Sequence, residues 1–388
     1  MLYLARGGDI VAEKSYKYRI YPNKKQQELI RKTFGCTRYV YNYYLDKRKK
    51  LYETDKTTYT YVKCAKDLTQ LKKEFEWLKE VDSVGLQTSL KDLDVAYKNF
   101  FSDGAGYPKF KSRKNRHQSY RTSFTNNNIA FMGKHIKLPK LGLVKVRDKQ
   151  APQGRILNAT ISQEPDGRFY CSLCCTDVSF VQLPKTNQFV GIDLGLVDFA
   201  IFSDGIKIEN PRFFEKSEKK LAKLQRDLSR KSIGSNRWNK ARIKVAKLQK
   251  HISNQRKDFL QKLTTLIVRK YDIICIEDLD VKSMKETELT IRNKRVSDVS
   301  WSEFRRQLTY KSTWYGRALS VVDRYYPSSQ ICHYCGHIDG KKAETIRFWV
   351  CPKCNSKLDR DVNASINILH EGLRNHRNYG DSSVILSL

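Results

Sequence analysis

The run Phe189, Val190, Gly191, Ile192, Asp193, Leu194, Gly195 constrains this chain more than any other stretch. Its apolar residues predict a short buried strand. Asp193 falls at the end of that strand, where a carboxylate is costly to bury unless it is paired or holds a metal. Gly195 is read as letting the backbone come close to whatever Asp193 holds. A second strand is expected at 200–203, a turn at Asp204 and Gly205, and a third strand at 206–208, so the acid lies at the mouth of an antiparallel meander. Two later stretches have the same character. Ile273, Ile274, Cys275 and Ile276 form an apolar strand ending in Glu277, and 358–364 opens a helix whose apolar side is Val362, Ile366 and Leu369, with Asp361 in its first turn. If Asp193, Glu277 and Asp361 converge, they offer the hard oxygen ligands that suit Mg²⁺ or Mn²⁺. Two such ions clamp the attacking and leaving oxygens of a phosphodiester.

The cysteines divide into two groups. Cys332, Cys335, Cys351 and Cys354 follow the spacing C-x2-C-x15-C-x2-C, which supplies four thiolates for tetrahedral Zn²⁺ on two knuckles. Gly336 and Asn355 follow the knuckles, where the backbone has to turn back. Four protein ligands leave no open position, so this zinc is structural. His333 and His337 are surplus to it and are read as exposed. Cys36, Cys64, Cys171, Cys174, Cys175 and Cys275 lie in periodic apolar stretches and read as small buried hydrophobes. Nothing resembles a disulfide framework, which implies a reducing, cytoplasmic setting.

Charge narrows the partners. Lys and Arg number 74 against 41 Asp and Glu, a net +33, with a pI near 9.7. That balance fits a binder of phosphate backbones. An anionic membrane would attract it too, but no apolar run is long enough to span a bilayer and no secretory signal is read at the start. The excess is densest at 212–270, with 19 Lys and Arg against 4 Asp and Glu. Two leucine and isoleucine stripes with a break at 234–236 predict an antiparallel pair of helices there, basic outward. Like charges on one face repel unless a polyanion neutralises them.

Along the rest of the chain, 14–21 alternates as a strand, Pro22 ends it, and Asn23 with Gln26 forms a capping box for a helix reaching about residue 50. Ile30, Phe34, Tyr41 and Leu45 mark its core face. Helices follow at 61–79 and 87–101, the last with Leu90, Leu93, Tyr97, Phe100 and Phe101 on one side. Gln87 and Lys91 share the other side, where they could read base edges or be simply solvated. The loop Tyr107, Lys109, Phe110, Lys111, Arg113 alternates basic and aromatic residues, as suits a nucleic-acid backbone with stacked bases. Strands are expected at 134–138, 143–147, 156–162 and 168–177. A polar, basic loop is expected at 282–294, a helix at 300–316 and a strand at 318–325.

Taken together, the segments 189–195 and 276–279, Pro327 to Cys332, the cysteine quartet and Asp359-Arg360-Asp361-Val362-Asn363-Ala364 resemble the TnpB family of transposon-encoded RNA-guided nucleases, relatives of the compact type V CRISPR effectors. Residues 18–22 and 106–113 fit the same pattern, and the resemblance spans 14–370. It implies α/β and all-β parts: a β-barrel wedge domain (14–22 and 120–182) interrupted by a helical recognition domain (23–119), then a ribonuclease-H-like RuvC nuclease domain (189–331 and 356–370) carrying a zinc ribbon (332–355). An N-terminal extension (1–13) and a disordered tail (371–388) match nothing. The resemblance also implies a guide RNA made from the transposon end, target double-stranded DNA, and a protein that reads a short adjacent motif while base pairing reads sequence. Gln87 and Lys91 become candidate motif readers. The triad carries over onto Asp193, Glu277 and Asp361, with two Mg²⁺ ions. Leu358 stands where many relatives have His. A nuclease-inactive RNA-guided repressor, a strand-joining transposase and a non-enzymatic zinc-ribbon RNA-binding protein remain alternatives at this level.

Overall fold

The computed structural model describes residues 3–4, 10–102, 104–279, 298–343 and 345–378. The expected loop 282–294 and most of the expected N-terminal extension fall outside them. Contacts divide the chain into two compact units, one built on Val11–Ser179 and one that begins at Phe180.

In the first unit, a two-residue strand β1 (Tyr3–Leu4) precedes β2 (Ile10–Tyr21), which starts ahead of residue 14 and buries Ala12, Tyr18 and Ile20. Pro22 stops β2, and Asn23 caps α1 (Lys24–Asp55). The Asn23 carboxamide oxygen accepts from the Gln26 N–H at 2.9 Å, and the Gln26 side chain accepts from the Asn23 N–H at 3.0 Å, as a capping box requires. Ile30, Phe34, Tyr41 and Leu45 are buried as expected. With α2 (Tyr61–Glu74), a 3-10 turn (Glu76–Lys79) and α3 (Ser83–Ser102), α1 closes a helical core that includes Tyr44, Leu68, Leu78, Leu86 and Leu90. Helix α3 begins before residue 87 because the Asp82 carboxylate accepts from the N–H groups of Val84 and Gly85, at 3.1 and 3.2 Å. Phe101 does not join the core face and is 77% exposed.

The chain returns to the sheet through β3 (Gln118–Ser123), β4 (Ala130–Met132), β5 (His135–Leu138), β6 (Gly142–Val146), β7 (Arg155–Gln163) and β8 (Phe169–Phe180). The hydrogen-bonded order is β3-β7-β8-β2-β6-β5-β4, so α1 to α3 lie in the chain between two strands of one sheet. Among the described residues the pairing does not return from β4 to β3. The polar sequence of β3 hid its alternation, in which Tyr120 and Thr122 point inward. Cys171 and Cys175 are fully buried on β8 beside Leu173, as small core residues.

The second unit is organised by β9 (Phe189–Leu194), β10 (Asp198–Phe202) and β11 (Lys207–Glu209), an antiparallel meander. Parallel strands β12 (Ile273–Glu277) and β13 (Ala318–Val322) extend it, giving the order β11-β10-β9-β12-β13. Helices α4 (Phe213–Ser229) and α5 (Asn236–Lys270) form the expected pair, with the Ser235 hydroxyl accepting from the Trp238 N–H at 3.1 Å to cap α5. Further on come α6 (Trp301–Tyr315) and α7 (Arg360–Asn378). Residues of α5 and α6, among them Leu260, Ile267, Phe304 and Leu308, pack with Val190, Ile192, Ile274 and Ile276 on one face of the sheet. Helix α7 takes the other face, its Ile368, Leu369 and Leu373 packing with Phe189, Ile273 and Cys275.

Two glycines set how closely α7 approaches. A Cβ on Gly191 would stand 2.0 Å from the Ser365 carbonyl oxygen, and one on Gly372 would stand 2.4 Å from the Cys275 sulfur. The helix therefore lies directly on β9 and β12, and its buried side is Ala364, Ser365 and Ile368, while Val362 and Ile366 stay half-exposed. Residues up to 378 thus belong to this helix rather than to a tail, and 379–388 fall outside the described residues. Residues 181–188, between β8 and β9, are held as well. Leu183 N–H donates to the Tyr315 carbonyl at 3.2 Å, and the N–H groups of Thr186 and Asn187 donate to the Asp272 carboxylate at 2.9 and 2.8 Å.

Candidate active site and zinc ribbon

Strand alternation decides where the acids point. On β9, Val190 and Ile192 face α5 and α6, so Phe189, Gly191 and Asp193 face α7. On β12, Ile274 and Ile276 face the same way as Val190, so Ile273, Cys275 and Glu277 also face α7. The parallel register pairs Ile276 with Ile192, which makes Glu277 and Asp193 neighbours at the strand ends. Since Ser365 sits on Gly191, the first turn of α7 lies toward those ends and brings Asp361 there. Close packing of one helix thus assembles three acids that are far apart in sequence.

Electrostatics report the same assembly. Burial, then the negative charges of Glu277 and Asp361, push the Asp193 carboxyl well above the usual carboxylate range, and Asp193 is hydrogen-bonded to Glu277. Burial raises Glu277 as well. All three side chains keep a partly exposed edge, so they are desolvated yet reachable. This is the repulsion that a multivalent cation relieves, and an all-oxygen donor set is what Mg²⁺ or Mn²⁺ takes. The cluster fits such ions by its donor chemistry. It is looser than the cysteine quartet, which among the described residues is the group whose ligand atoms all converge within 4.8 Å. One reason is visible: the Asp361 carboxylate accepts from the Arg347 guanidinium at 2.5 Å.

Asp359 has a different task. Its carboxylate accepts from the N–H groups of Asp361 and Val362, at 3.0 and 3.1 Å, and pairs with Lys207 at 2.7 Å. It caps α7 and anchors it beside β11, and these contacts hold its carboxyl below the usual range despite burial. Gly195 also differs from expectation. A Cβ there would stand 2.7 Å from the Asp198 carbonyl oxygen, so this glycine serves the tight β9–β10 turn, and the close approach belongs to Gly191.

The four cysteines come together as their spacing predicts. Cys332 and Cys354 sulfurs lie 3.7 Å apart, and those of Cys335 and Cys351 3.6 Å apart. A Zn²⁺ with four bonds of about 2.3 Å in a tetrahedron needs sulfurs about 3.8 Å apart, so the residues fit zinc. The two knuckles are the same turn used twice. Gly336 N–H donates to the Cys332 carbonyl at 2.8 Å and Asn355 N–H to the Cys351 carbonyl at 2.9 Å, with φ of 71° and 57° at Gly336 and Asn355. The Ser356 hydroxyl and main chain pull the Cys354 thiol down to about 6. Strands β14 (Phe348–Val350) and β15 (Lys357–Asp359) pair beneath the site, and Trp349 and Leu358 form a small core with Cys332 and Cys351. Leu358 is therefore a ribbon core residue. His333 is not exposed as expected: its main-chain N–H and its ring Nδ1 both lie 3.0 Å from the Asn363 side-chain oxygen. Asn363 also donates to the Ile331 carbonyl at 2.7 Å, and Asn367 donates to the carbonyls of Ser328 and Ile331 at 2.8 and 2.7 Å. Sequence reasoning named Asn363 only within the motif 359–364 and missed Asn367 and Arg347; all three tie the ribbon to the helix carrying Asp361. The only signal for the asparagines was two polar residues, four apart, in the middle of a helical apolar pattern.

The remaining sequence candidates separate. Gln87 and Lys91 lie together on the exposed face of α3, with the Lys91 ammonium 5.9 Å from the Tyr61 ring centre. In the loop after α3, Lys109, Phe110 and Arg113 are exposed. Tyr107 is packed against Tyr97 and shares a 3.0 Å hydrogen bond with it. Lys111 is exposed too, with its ammonium over the Tyr41 ring at 4.1 Å from the ring centre. No helix among the described residues is long and apolar enough to cross a membrane.

Known proteins resemble this chain over most of its length. Residues 169–288 match a family described as a probable transposase, OrfB of the IS605 type, and residues 301–368 match the Cas12f1-like TNB domain. Residues 12–57 match a helix-turn-helix description, although here they form β2 and one long helix, α1. A relative from Streptomyces pristinaespiralis, named as a candidate RNA-guided DNA endonuclease, is 39% identical over 366 residues, which cover 93% of this chain and 90% of the relative. One from Escherichia coli K12 bearing the same description is 34% identical over 373 residues, 92% of each chain. The protein in the solved Cas12f1–sgRNA–target DNA complex superposes with a TM-score of 0.57 at 14% identity, over 92% of this chain and 98% of that one, and so shares its fold.

Proposed function

The chain belongs to the TnpB family, and on that premise we propose that it is an RNA-guided DNA endonuclease. A guide RNA from the transposon end selects the target by base pairing, and Asp193, Glu277 and Asp361 carry the cleavage. The observation that supports this most is the raising of the buried Asp193 carboxyl on β9 by burial and by the negative charges of Glu277 on β12 and Asp361 on α7, at one end of a mixed five-stranded sheet. A structural or RNA-storing protein has no use for that repulsion.

In this reading Asp193, Glu277 and Asp361 would hold divalent ions, whose chemistry there would be to activate water and stabilise the leaving 3′ oxygen. Asp193 and Glu277 hold their side of the site on rigid strand ends. Asp361 completes it from a capped helix, and Arg347 neutralises Asp361 until it is engaged. The ribbon holds zinc on Cys332, Cys335, Cys351 and Cys354 and faces the nucleic acid. In the first unit the sheet acts as the wedge and α1 to α3 as the recognition insertion. The test is direct: purify the protein from cells, sequence the RNA that accompanies it, and assay cleavage of duplex DNA matching the end of that RNA. A protein that arrives without RNA, or that ignores matching DNA, refutes the guided reading.

Two expectations follow from the same reading. The basic hairpin of α4 and α5 should bind RNA largely through phosphates. Affinity for non-cognate RNA is then expected to fall by orders of magnitude between about 50 and 200 mM salt, as filter binding would show. A flat salt response would exclude this surface as the contact. The exposed pair Gln87 and Lys91 should read the duplex beside the target. Gln87→Ala is expected to relax preference at one or two base pairs by about 1–3 kcal/mol. A randomised-library cleavage screen giving the wild-type motif would return these residues to a solvated role.

A further inference from the structure

A groove of about 620 Å³ runs along α1 of the first unit, away from the acids and the zinc ribbon of the second. Tyr39 and Tyr43 line it, their rings stacked at 6.0 Å, and Trp77, edge-on to Tyr39 at 5.0 Å and 40% exposed, continues the aromatic lining. Gly35 forms part of the lining, and a Cβ there would have only the Arg38 guanidinium within 4 Å. Arg38 donates from Nη1 to the Gln118 side chain at 2.9 Å, and its other terminal nitrogen is the one beside Gly35. Among the described residues no carboxylate pairs with Arg38. At the rim, Lys32 and Glu80 pair at 2.9 Å.

The groove is also tied to the basic loop. The Asn42 side chain donates to the Lys111 carbonyl at 2.9 Å and accepts from the Lys111 N–H at 2.8 Å. This pin brings Arg113 close enough to Arg38 for its like charge, after burial, to lower the Arg38 guanidinium. A half-buried Arg38 with no carboxylate partner among the described residues, and the exposed Arg113 just beyond Lys111, favour an anion. The exposed Trp77 and the half-buried Tyr39 and Tyr43 favour a flat aromatic ring. An acidic peptide would meet the arginines but leave the aromatic walls open to water. A nucleotide satisfies both.

We infer that this groove is a subsite for one unstacked nucleotide of a single strand, its base against Trp77, Tyr39 and Tyr43 and its phosphate on Arg38 and Arg113. The inference rests on the nucleic-acid-binding reading and adds a site to it. The strand is RNA or displaced DNA, which share this chemistry, and the test has an arm for each.

In the RNA arm, full-length protein from cells fed 4-thiouridine is irradiated and its adducts are mapped by mass spectrometry. In the DNA arm, purified protein is irradiated with oligodeoxythymidylate carrying 5-iododeoxyuridine. Adducts on Tyr39, Tyr43 or Trp77 in either arm are expected. Trp77→Leu is expected to remove them and weaken the strand about tenfold, with Trp77→Phe close to wild type. Arg38→Gln is expected to lower the salt slope of binding by about one. Adducts on α4 and α5 with none in the groove would overturn the subsite and leave nucleic-acid binding standing. No adducts anywhere, in either arm, would overturn both.

Discussion

Asp193→Ala protein is expected to occupy its target and leave it uncut. Asp193 sits on a central strand between β10 and β12, hydrogen-bonded to Glu277, with α7 seated on Gly191 beside it. Removing its carboxylate leaves the strand and the helix in place, so recognition by base pairing and Lys and Arg contacts survives. Cleavage needs all the ligands at once, and loss of one should cost about 10³-fold or more, some 4 kcal/mol of barrier. Glu277→Gln and Asp361→Asn are expected to behave alike. Asp359→Ala is the control. It loses the cap of α7 and the Lys207 pair, worth about 1 kcal/mol of helix stability, and keeps most of the cleavage. A companion measurement separates a built metal site from ordinary strand ends. Asp193→Asn removes a buried charge repelled by two neighbours, so the metal-free variant should melt at a higher temperature than wild type. Gel-shift and cleavage assays with the four variants read the first claim, and scanning calorimetry the second. Cutting by Asp361→Asn together with a dead Asp359→Ala would move the third ligand to Asp359; full cleavage by all three triad variants would leave no active site here.

The acids were legible because each stood where a strand or helix ends, a context that periodicity displays. What periodicity could not display was the device that joins them. Gly191 and Gly372 read as neutral residues inside apolar runs, and only the approach of α7 shows why a side chain is excluded at both. The same approach rotates the buried side of α7 onto Ala364, Ser365 and Ile368, so an apolar stripe drawn through Val362 and Ile366 misses it. Strand β3 was missed for a related reason, since Gln118, Ser119, Arg121 and Ser123 are polar and only Tyr120 and Thr122 face the core. The capping box at Asn23 and the cysteine quartet held because both are local: neighbours within a few residues, or thiols that have to meet one ion, leave little for tertiary packing to override. The placement of Lys111 is the converse case. A lysine in a basic loop reads as free in solvent, and the seat of its ammonium over the Tyr41 ring depends on Asn42, distant in sequence.

Stripping the zinc is expected to abolish cleavage without unfolding either sheet. The ribbon's own core is Cys332, Trp349, Cys351 and Leu358, too small to stand unaided. Structural zinc contributes on the order of 10 kcal/mol to such modules, so Cys351→Ser should melt the segment around 330–358. The cores of β9 to β13 and of α1 to α3 are separate from it and should persist. The loss reaches the chemistry through three connections. Strand β15 runs straight into α7, with Arg360 following Asp359. Asn363 and Asn367 hold the main chain at Ile331 and His333, and Arg347 holds Asp361. With the ribbon unfolded, Asp361 loses Arg347, and the first turn of α7 loses the asparagine ties that fix it. Wild-type protein should carry one zinc per chain by elemental analysis. Cys351→Ser should carry much less, exchange amide hydrogens quickly across 330–365 and retain the slow core elsewhere. Its cleavage should fall as far as that of Asp361→Asn. Arg347→Ala tells positioning from folding, because it leaves zinc content intact. If that variant and Cys351→Ser both cut at the wild-type rate, the ribbon does not position Asp361.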